Sequence, residues 1–378
     1  MGFILFGMFA GVSCEPRNQR FNFHRCRDST GRSGYYCGVG NSGGFYVLVG
    51  WGCCFGFGGT AVSYYPPMSP AVSYYGGKQR LASRIVEQCL KIPHTVYCEP
   101  YCGGAAVYFA MPVMYTGNND HYRVVLNDID ERLITFYRVA QTRTDELLTM
   151  LRGTLYSKAD YDRSADILRN PAGYDELTRA WAYYVNISQS FSFKLLRGWK
   201  RGIFGQNHAN VWISYIDALQ QTLEKLKMVY AECGKALDCI DQWNASQVLL
   251  YLDPPYPEAD QGHYGGFTID DWAELCAKLD SCQSSYILSN YPQSVEPTSA
   301  QQRLEIKATM SASGAGKVNG DRSRKATAAE LGNRERTEVL WICDRSAGAR
   351  DELKPVFKRL QASIDRPLQV DLFGDTAA

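Results

Sequence analysis

Hydrophobic and polar positions along the chain fall into two textures. From Gly77 onward they alternate in the manner of strands and helices. In KQRLASRIVEQCLKI (Lys78–Ile92), Leu81, Ile85 and Leu90 share one side of a helix. HTVYCEPYCGGAAVYFAM (His94–Met111) reads as a short strand, a turn over Glu99–Gly104 and a helix that starts at the glycines. RVVLNDID is an apolar strand of the buried kind with a polar end, and ERLITFYRVA is again helical. Strand, helix, strand, helix is the pattern of a parallel sheet with crossovers. Residues 141–230 read as polar helices with breaks at Arg152–Thr154 and Asn170–Gly173. QVLLYLDPPY is then a buried strand running into a proline turn, DDWAELCAKL a helix, SYILSNYP a strand and TEVLWIC another. Between the last two, Ala308–Glu335 is rich in Gly, Ser and charge and predicts a mobile loop. The sum is an α/β doubly wound sheet interrupted by a helical insert.

Residues 1–67 have the other texture. No charged residue occurs from Ser33 to Gly77, and Gly43–Val62 is apolar but full of glycine. The length suits a membrane span, whereas the glycine makes a poor helix. The apolar opening MGFILFGMFAGV has no Lys or Arg before it, unlike a secretory signal. AVSYY occurs at Ala61–Tyr65 and again at Ala71–Tyr75, and Met68 stands just before the second copy. The expectation is a disordered tail or an over-extended start, with a membrane anchor as the alternative.

Composition narrows the function classes. The chain has 378 residues, 45% hydrophobic and 21% charged, which suits two or three globular domains rather than a disordered or fibrous chain. With 40 basic and 39 acidic residues the net charge is +1, so nucleic-acid binding would rest on a local basic face. The 13 cysteines form no CxxC pair, and none of the five histidines stands at ligand spacing from one. This argues against a zinc site and for reduced thiols in the cytoplasm.

Candidate chemistry sits at three strand ends, where ligands bind in open parallel sheets. In Glu99-Pro100-Tyr101-Cys102-Gly103-Gly104 the glycines let a ligand approach the backbone, although a plain strand-to-helix turn explains them equally well. Asp128, closing LND, can accept from ribose hydroxyls or cap a helix. Asp253-Pro254-Pro255-Tyr256 combines an acid at a strand tip, two prolines that fix the turn, and an aromatic ring. An exocyclic amino group on a base is a poor nucleophile because its lone pair is delocalised into the ring. A carboxylate and a backbone carbonyl accepting its two N–H bonds would raise electron density on nitrogen. A ring at the same place can stack on a base swung out of the duplex.

In this order the motifs resemble the Dam-type (alpha group) N(6)-adenine DNA methyltransferases, over residues 68–378. The resemblance implies a Rossmann-like sheet domain that uses S-adenosyl-L-methionine, built from residues 68–140 and 231–378, with a target-recognition insert at 141–230. It places Tyr74 and Lys78 of YYGGK, Glu99, Pro100, Gly103 and Gly104 of EPYCGG, Asp128 and Asp253 near the cofactor. It places Asp253 and the Pro254 carbonyl on the target amino group, with Pro255 completing the rigid turn and Tyr256 stacking on adenine. GHYGGFT (Gly262–Thr268), LSNYP and TEVLW follow in family order. One departure stands out. The family's Gly-Asp-Ala-Leu segment reads Gly234-Lys235-Ala236-Leu237 here, and a lysine cannot accept from the cofactor's adenine amino group. Either Asp238 or Glu232 substitutes, or cofactor affinity is lower.

The partner implied is double-stranded DNA, and no metal is called for. In the insert, Lys194, Arg197, Lys200 and Arg201 interleave with Phe191, Phe193 and Trp199, a mixture able to bind phosphates and wedge bases. A solvated face over core aromatics is the other reading. Lys317, Arg322, Arg324 and Lys325 form a second basic set. Gln369–Phe373 resembles the short peptides that dock on the bacterial sliding clamp. Three functions stay open: a site-specific adenine methylase, either free-standing or part of a restriction-modification pair; a binding protein without turnover; and an amino-methyltransferase acting on cytosine or RNA.

Overall fold

The computed structural model describes residues 67–74, 76–115, 122–202, 207–257, 266–291, 295–310 and 334–346, and four earlier strand segments as backbone. Those four are β1 (Asn22–Arg27), β2 (Ser33–Gly38), β3 (Cys53–Phe57) and β4 (Thr60–Tyr65). β1 and β2 pair antiparallel. β3, β4 and β6 (Val113–Tyr115) form a three-stranded antiparallel sheet. This N-terminal unit therefore carries strand pairing that its composition did not predict, and Gly43–Val62 contains β3 and the start of β4. Among the described residues no helix is long and apolar enough to cross a membrane.

The larger unit comprises Met68–Met111 and the chain from Tyr122. Its sheet is built from β5 (Val96–Glu99), β7 (Arg123–Asp128), β8 (Val229–Cys233), β9 (Val248–Leu252), β10 (Ser285–Asn290), β11 (Gln302–Met310) and β12 (Arg334–Cys343). The strand order is β11-β12-β10-β9-β5-β7-β8. β8, β7, β5, β9 and β10 run parallel, and β12 is antiparallel to both neighbours. This is the Rossmann-like α/β sheet that the alternation of strands and helices predicts. The central strands are apolar runs because both faces are covered, and every residue of β9 is buried.

Helices α1 (Ala82–Cys89), α2 (Ala106–Ala110), α3 (Glu131–Thr142), α8 (Ala236–Gln242) and α9 (Ile269–Ser281) accompany the strands. α9 opens on a capping box, Thr268 with Asp271, and buries Trp272, Leu275, Cys276 and Leu279 at helical spacing. Trp272 meets Trp341 of β12 edge-on at 5.7 Å, within a core shared with β5, β9 and β10. The helix expected to start at the glycines starts at Ala106, because Gly103 and Ala105 are left-handed (φ 47° and 51°) and turn the chain first. Ala308–Met310 and Arg334–Glu335, expected in a loop, belong to β11 and β12. Their cross-strand pairing, not their composition, decides this.

Between α3 and β8 lie α4 (Thr144–Arg152), α5 (Lys158–Arg169), α6 (Glu176–Gln189) and α7 (His208–Leu226). Ser157, Asp175 and Asn207 cap α5, α6 and α7. These helices share one compact unit with the sheet. Phe136 of α3 stacks on Tyr184 of α6 at 5.4 Å, and Gln141 donates to the carbonyls of Leu226 and Val229. Lys225 of α7, fully buried, donates to the carbonyls of Phe109 and Met111 at the end of α2 (2.9 and 2.6 Å).

The strand order reverses beside β5: the chain goes from β5 outward to β7, and later returns to β9 on the other side. A crevice opens at such a switch point beyond the carboxyl ends of the strands. Glu99 closes β5, Asp128 closes β7 and Asp253 follows β9.

Candidate active site

The loop after β5 is tied down from below. Glu99 is buried and accepts from the Tyr97 hydroxyl (2.9 Å) and the Tyr108 amide (2.8 Å). Burial pushes its carboxyl up to about 8, against those two hydrogen bonds; the nearby Asp253 adds to the push. Asn127 donates to the carbonyls of Pro100 (2.9 Å) and Gly234 (3.1 Å), joining the loops after β5 and β8. Asp128 accepts from the Gly103 amide (2.9 Å) and, through its other oxygen, from the Asp130 amide. The helix cap on α3 is Asp130, so the cap alternative for Asp128 falls to its neighbour.

Only glycine fits the end of this loop. A Cβ on Gly104 would stand 2.6 Å from the Val72 carbonyl oxygen, and one on Gly103 would stand 3.2 Å from the Tyr74 ring. Tyr74 and the EPYCGG turn are thus packed together.

The second cluster gathers on the Asp253–Tyr256 turn. Pro254 is buried. Lys78, which is 8% exposed, places its ammonium 2.6 Å from Asp253 Oδ1 and 3.4 Å from Glu338 Oε1. The Tyr256 hydroxyl stands 3.1 Å from Asp253 Oδ1 and also hydrogen-bonds Glu338 Oε1. Ser289 donates to the same Glu338 oxygen at 3.1 Å. The Lys78 ammonium lies over the Tyr256 ring, 4.8 Å from its centre, and Tyr291 meets that ring edge-on at 4.6 Å. Burial would lower the lysine, but the two carboxylates outweigh it and the ammonium is held above its ordinary range. Burial raises Asp253 although Lys78 pulls the other way, and pushes Glu338 up to about 7.

Glu338 is the residue the sequence reading passed over. On β12 it shares a strand face with Leu340 and Ile342, both buried, and an acid in phase with buried apolar residues was the available signal.

Lys235 is exposed at the start of α8, and Asp238 is exposed in its first turn. Glu232, the other proposed substitute, has both oxygens 3.2 Å from the Trp243 indole nitrogen. Its carboxylate is therefore engaged inside the protein.

The predicted DNA residues are not part of either cluster. They lie on a loop of the insert pinned by an antiparallel bridge between Ser190 and Trp199. Phe193 and Leu196 are left-handed there (φ 53° and 61°), and the Leu196 amide is held by Asn186 (2.8 Å). Trp199 packs on Tyr156 at 5.6 Å, and Lys200 lies 5.7 Å from the Phe193 ring centre. Lys194 is half-buried, while Arg197 and Arg201 are exposed, as is Phe191 at 64%. The second basic set and Gln369–Phe373 lie outside the described residues, as does most of GHYGGFT.

A glycine turn, strand-end acids and a proline-fixed Asp-aromatic turn thus stand together at the switch point of the sheet. Residues 74–311 match the family model described as D12 class N6 adenine-specific DNA methyltransferase, and the chain belongs to that family. It is 26% identical over 252 residues to the Type II methyltransferase M.MjaIII of Methanocaldococcus jannaschii, a match covering 59% of this chain and 84% of that protein. Among solved structures, two of the rRNA methyltransferase aviRa from Streptomyces viridochromogenes are similar at 12% and 11% identity. They cover 72% and 74% of this chain and 87% and 90% of theirs, with TM-scores of 0.29 and 0.30.

Proposed function

We propose that residues 68–378 transfer a methyl group from S-adenosyl-L-methionine to N6 of an adenine flipped out of double-stranded DNA. The observation that carries this reading is Asp253, ion-paired to Lys78 on a rigid turn at the switch point, beside the Glu99–Gly104 loop. The residues at the crevice fit the cofactor in chemistry: a close-packed glycine turn and two strand-end acids, Asp128 and Asp253. S-adenosyl-L-methionine, when bound, supplies an electrophilic methyl group.

The protein's work is positioning and charge. Among the described residues, Lys78 and Tyr256 both contact Asp253 through Oδ1. Its Oδ2 and the Pro254 carbonyl are the acceptors assigned to the two N6–H bonds, drawing density onto the nitrogen that attacks. Pro255 keeps the turn rigid, and Tyr256 and Tyr291 offer aromatic surface to the extruded base. Tyr74, Lys78, Glu99, Pro100, Gly103, Gly104 and Asp128 shape the cofactor side. Lys194, Arg197, Trp199, Lys200 and Arg201 are assigned to DNA, with the exposed arginines on phosphates. The reaction belongs in the cytoplasm, where the cofactor and DNA meet.

The test incubates the protein with methyl-labelled S-adenosyl-L-methionine and unmethylated DNA, and separates the digested nucleosides. Label in N6-methyladenine, lost in Asp253→Ala, supports the reading. Label in cytosine or only in RNA overturns the substrate. Cofactor and DNA binding without label favours a binding protein, for which Lys235 at a usually acidic position is the specific motive.

A further inference from the structure

Glu338 is buried, 4% exposed, and carries no part of the chemistry assigned above. Yet three groups from three distant stretches of chain converge on its Oε1: the Lys78 ammonium, the Tyr256 hydroxyl and the Ser289 hydroxyl. Two of them also touch Asp253 Oδ1. Glu338 and Asp253 thus hold the same lysine and the same tyrosine between them.

The consequence for Asp253 is electrostatic. A buried carboxylate must stay ionised to accept from an amino group, and the Lys78 ammonium keeps it so. A full cation at 2.6 Å also drains the electron density that the amino group needs. A second carboxylate on that cation returns part of it. The Tyr256 ring would otherwise turn about its side-chain bonds; an acceptor on its hydroxyl fixes it.

We propose that Glu338 is a positioning residue for methyl transfer: it shares the Lys78 charge with Asp253 and anchors Tyr256, so that both meet the target base in one fixed geometry. The proposal rests on the adenine-methylation reading. Glu338 faces Lys78 from the segment before α1, Tyr251, Asp253 and Tyr256 from β9 and its turn, and Ser289 from β10.

The experiment compares the full chain with Glu338→Gln, Glu338→Asp and Glu338→Ala. Single-turnover methyl transfer is measured from pre-formed complexes with labelled S-adenosyl-L-methionine and DNA across pH 5.5–9. Dissociation constants for cofactor and DNA, and thermal melts, are measured on the same samples. Glu338→Gln keeps acceptors for Tyr256 and Ser289 but drops the charge. Its transfer rate is expected to fall about tenfold to a hundredfold, the scale of a small misplacement of reacting groups. Cofactor and DNA binding should stay within about threefold, a margin of less than 1 kcal/mol. The acid limb that Glu338 contributes near pH 7 should disappear. Glu338→Asp, with the charge kept but drawn back, should recover part of the rate. Glu338→Gln at the wild-type rate and pH profile would overturn the proposal, as would a loss explained wholly by weaker cofactor binding. Should Glu338→Ala fail to fold, the Gln and Asp variants decide alone. Wild-type protein that labels no adenine overturns the functional reading and this inference with it, whereas labelling that is indifferent to residue 338 overturns the inference only.

Discussion

The turn after β9 and the loop of the insert both mix charge with aromatic rings, but they arrange the mixture in opposite ways. At Asp253–Tyr256 the charges point inward: Lys78, Asp253 and Glu338 are largely buried against one another and the Tyr256 ring lies beside them. At Phe191–Arg201, Trp199 packs on Tyr156 while Arg197 and Arg201 face solvent. Buried charge is costly unless paired, and is worth keeping where a reaction uses it. Exposed charge costs little and suits a partner that arrives as a row of phosphates. On the function proposed above, the first region does the chemistry and the second makes the contact.

Substitutions at the two regions should fail in different ways. Asp253→Ala should remove at least about a hundredfold of methyl transfer, the scale for losing one electrostatic stabiliser, while cofactor retention is followed by equilibrium dialysis. Lys78→Met strands two buried carboxylates. It should cost about 3 kcal/mol of stability, read by denaturant unfolding, as well as activity. A Lys78→Met protein as stable as wild type would break the contrast. Arg197→Ala with Arg201→Ala should leave cofactor binding and melting unchanged. It should weaken DNA binding and reduce the slope of log affinity against log salt by about 2.

A smaller effect separates the cofactor loop from both regions. With Glu99 raised to about 8, the folded chain keeps a proton that the unfolded chain releases above its ordinary value of 4.5. Stability from this group is therefore full below that value and declines as pH rises toward 8. Glu99→Gln should flatten the fall of the melting temperature between pH 5 and 8, leaving the contribution of Glu338. The smallest effect is expected at Lys235, exposed at the start of α8. Lys235→Asp should hold S-adenosyl-L-methionine at least as tightly as wild type; clear weakening would show that this segment does not face the cofactor.

The sequence made the frame of the site legible for a physical reason. β9 is an apolar run because both its faces are covered, and an acid followed by two prolines marks its end. The glycines of EPYCGG could be read because no side chain fits where Gly104 meets Val72. What stayed hidden were buried charges inside ordinary-looking elements. Glu338 stands at the head of the buried apolar run Val339–Cys343, and Lys225 beside the apolar stripe of α7. Their burial depends on partners from remote parts of the chain, Lys78 for one and the carbonyls ending α2 for the other. The strands of the N-terminal unit were hidden too, since glycine-rich composition says little about which segments pair.

The register of β11 with β12 has a practical consequence. Met310 stands directly opposite Arg334, so the long stretch between them leaves and re-enters the sheet at neighbouring points. A short hairpin turn could join the two strands in its place, because the ladder from Gln302–Ile342 to Met310–Arg334 already fixes both ends. Cutting the chain there would leave two fragments that remain zipped along the same ladder. This makes the Met310–Arg334 end of the ladder the natural place to split the chain into halves without touching Glu338.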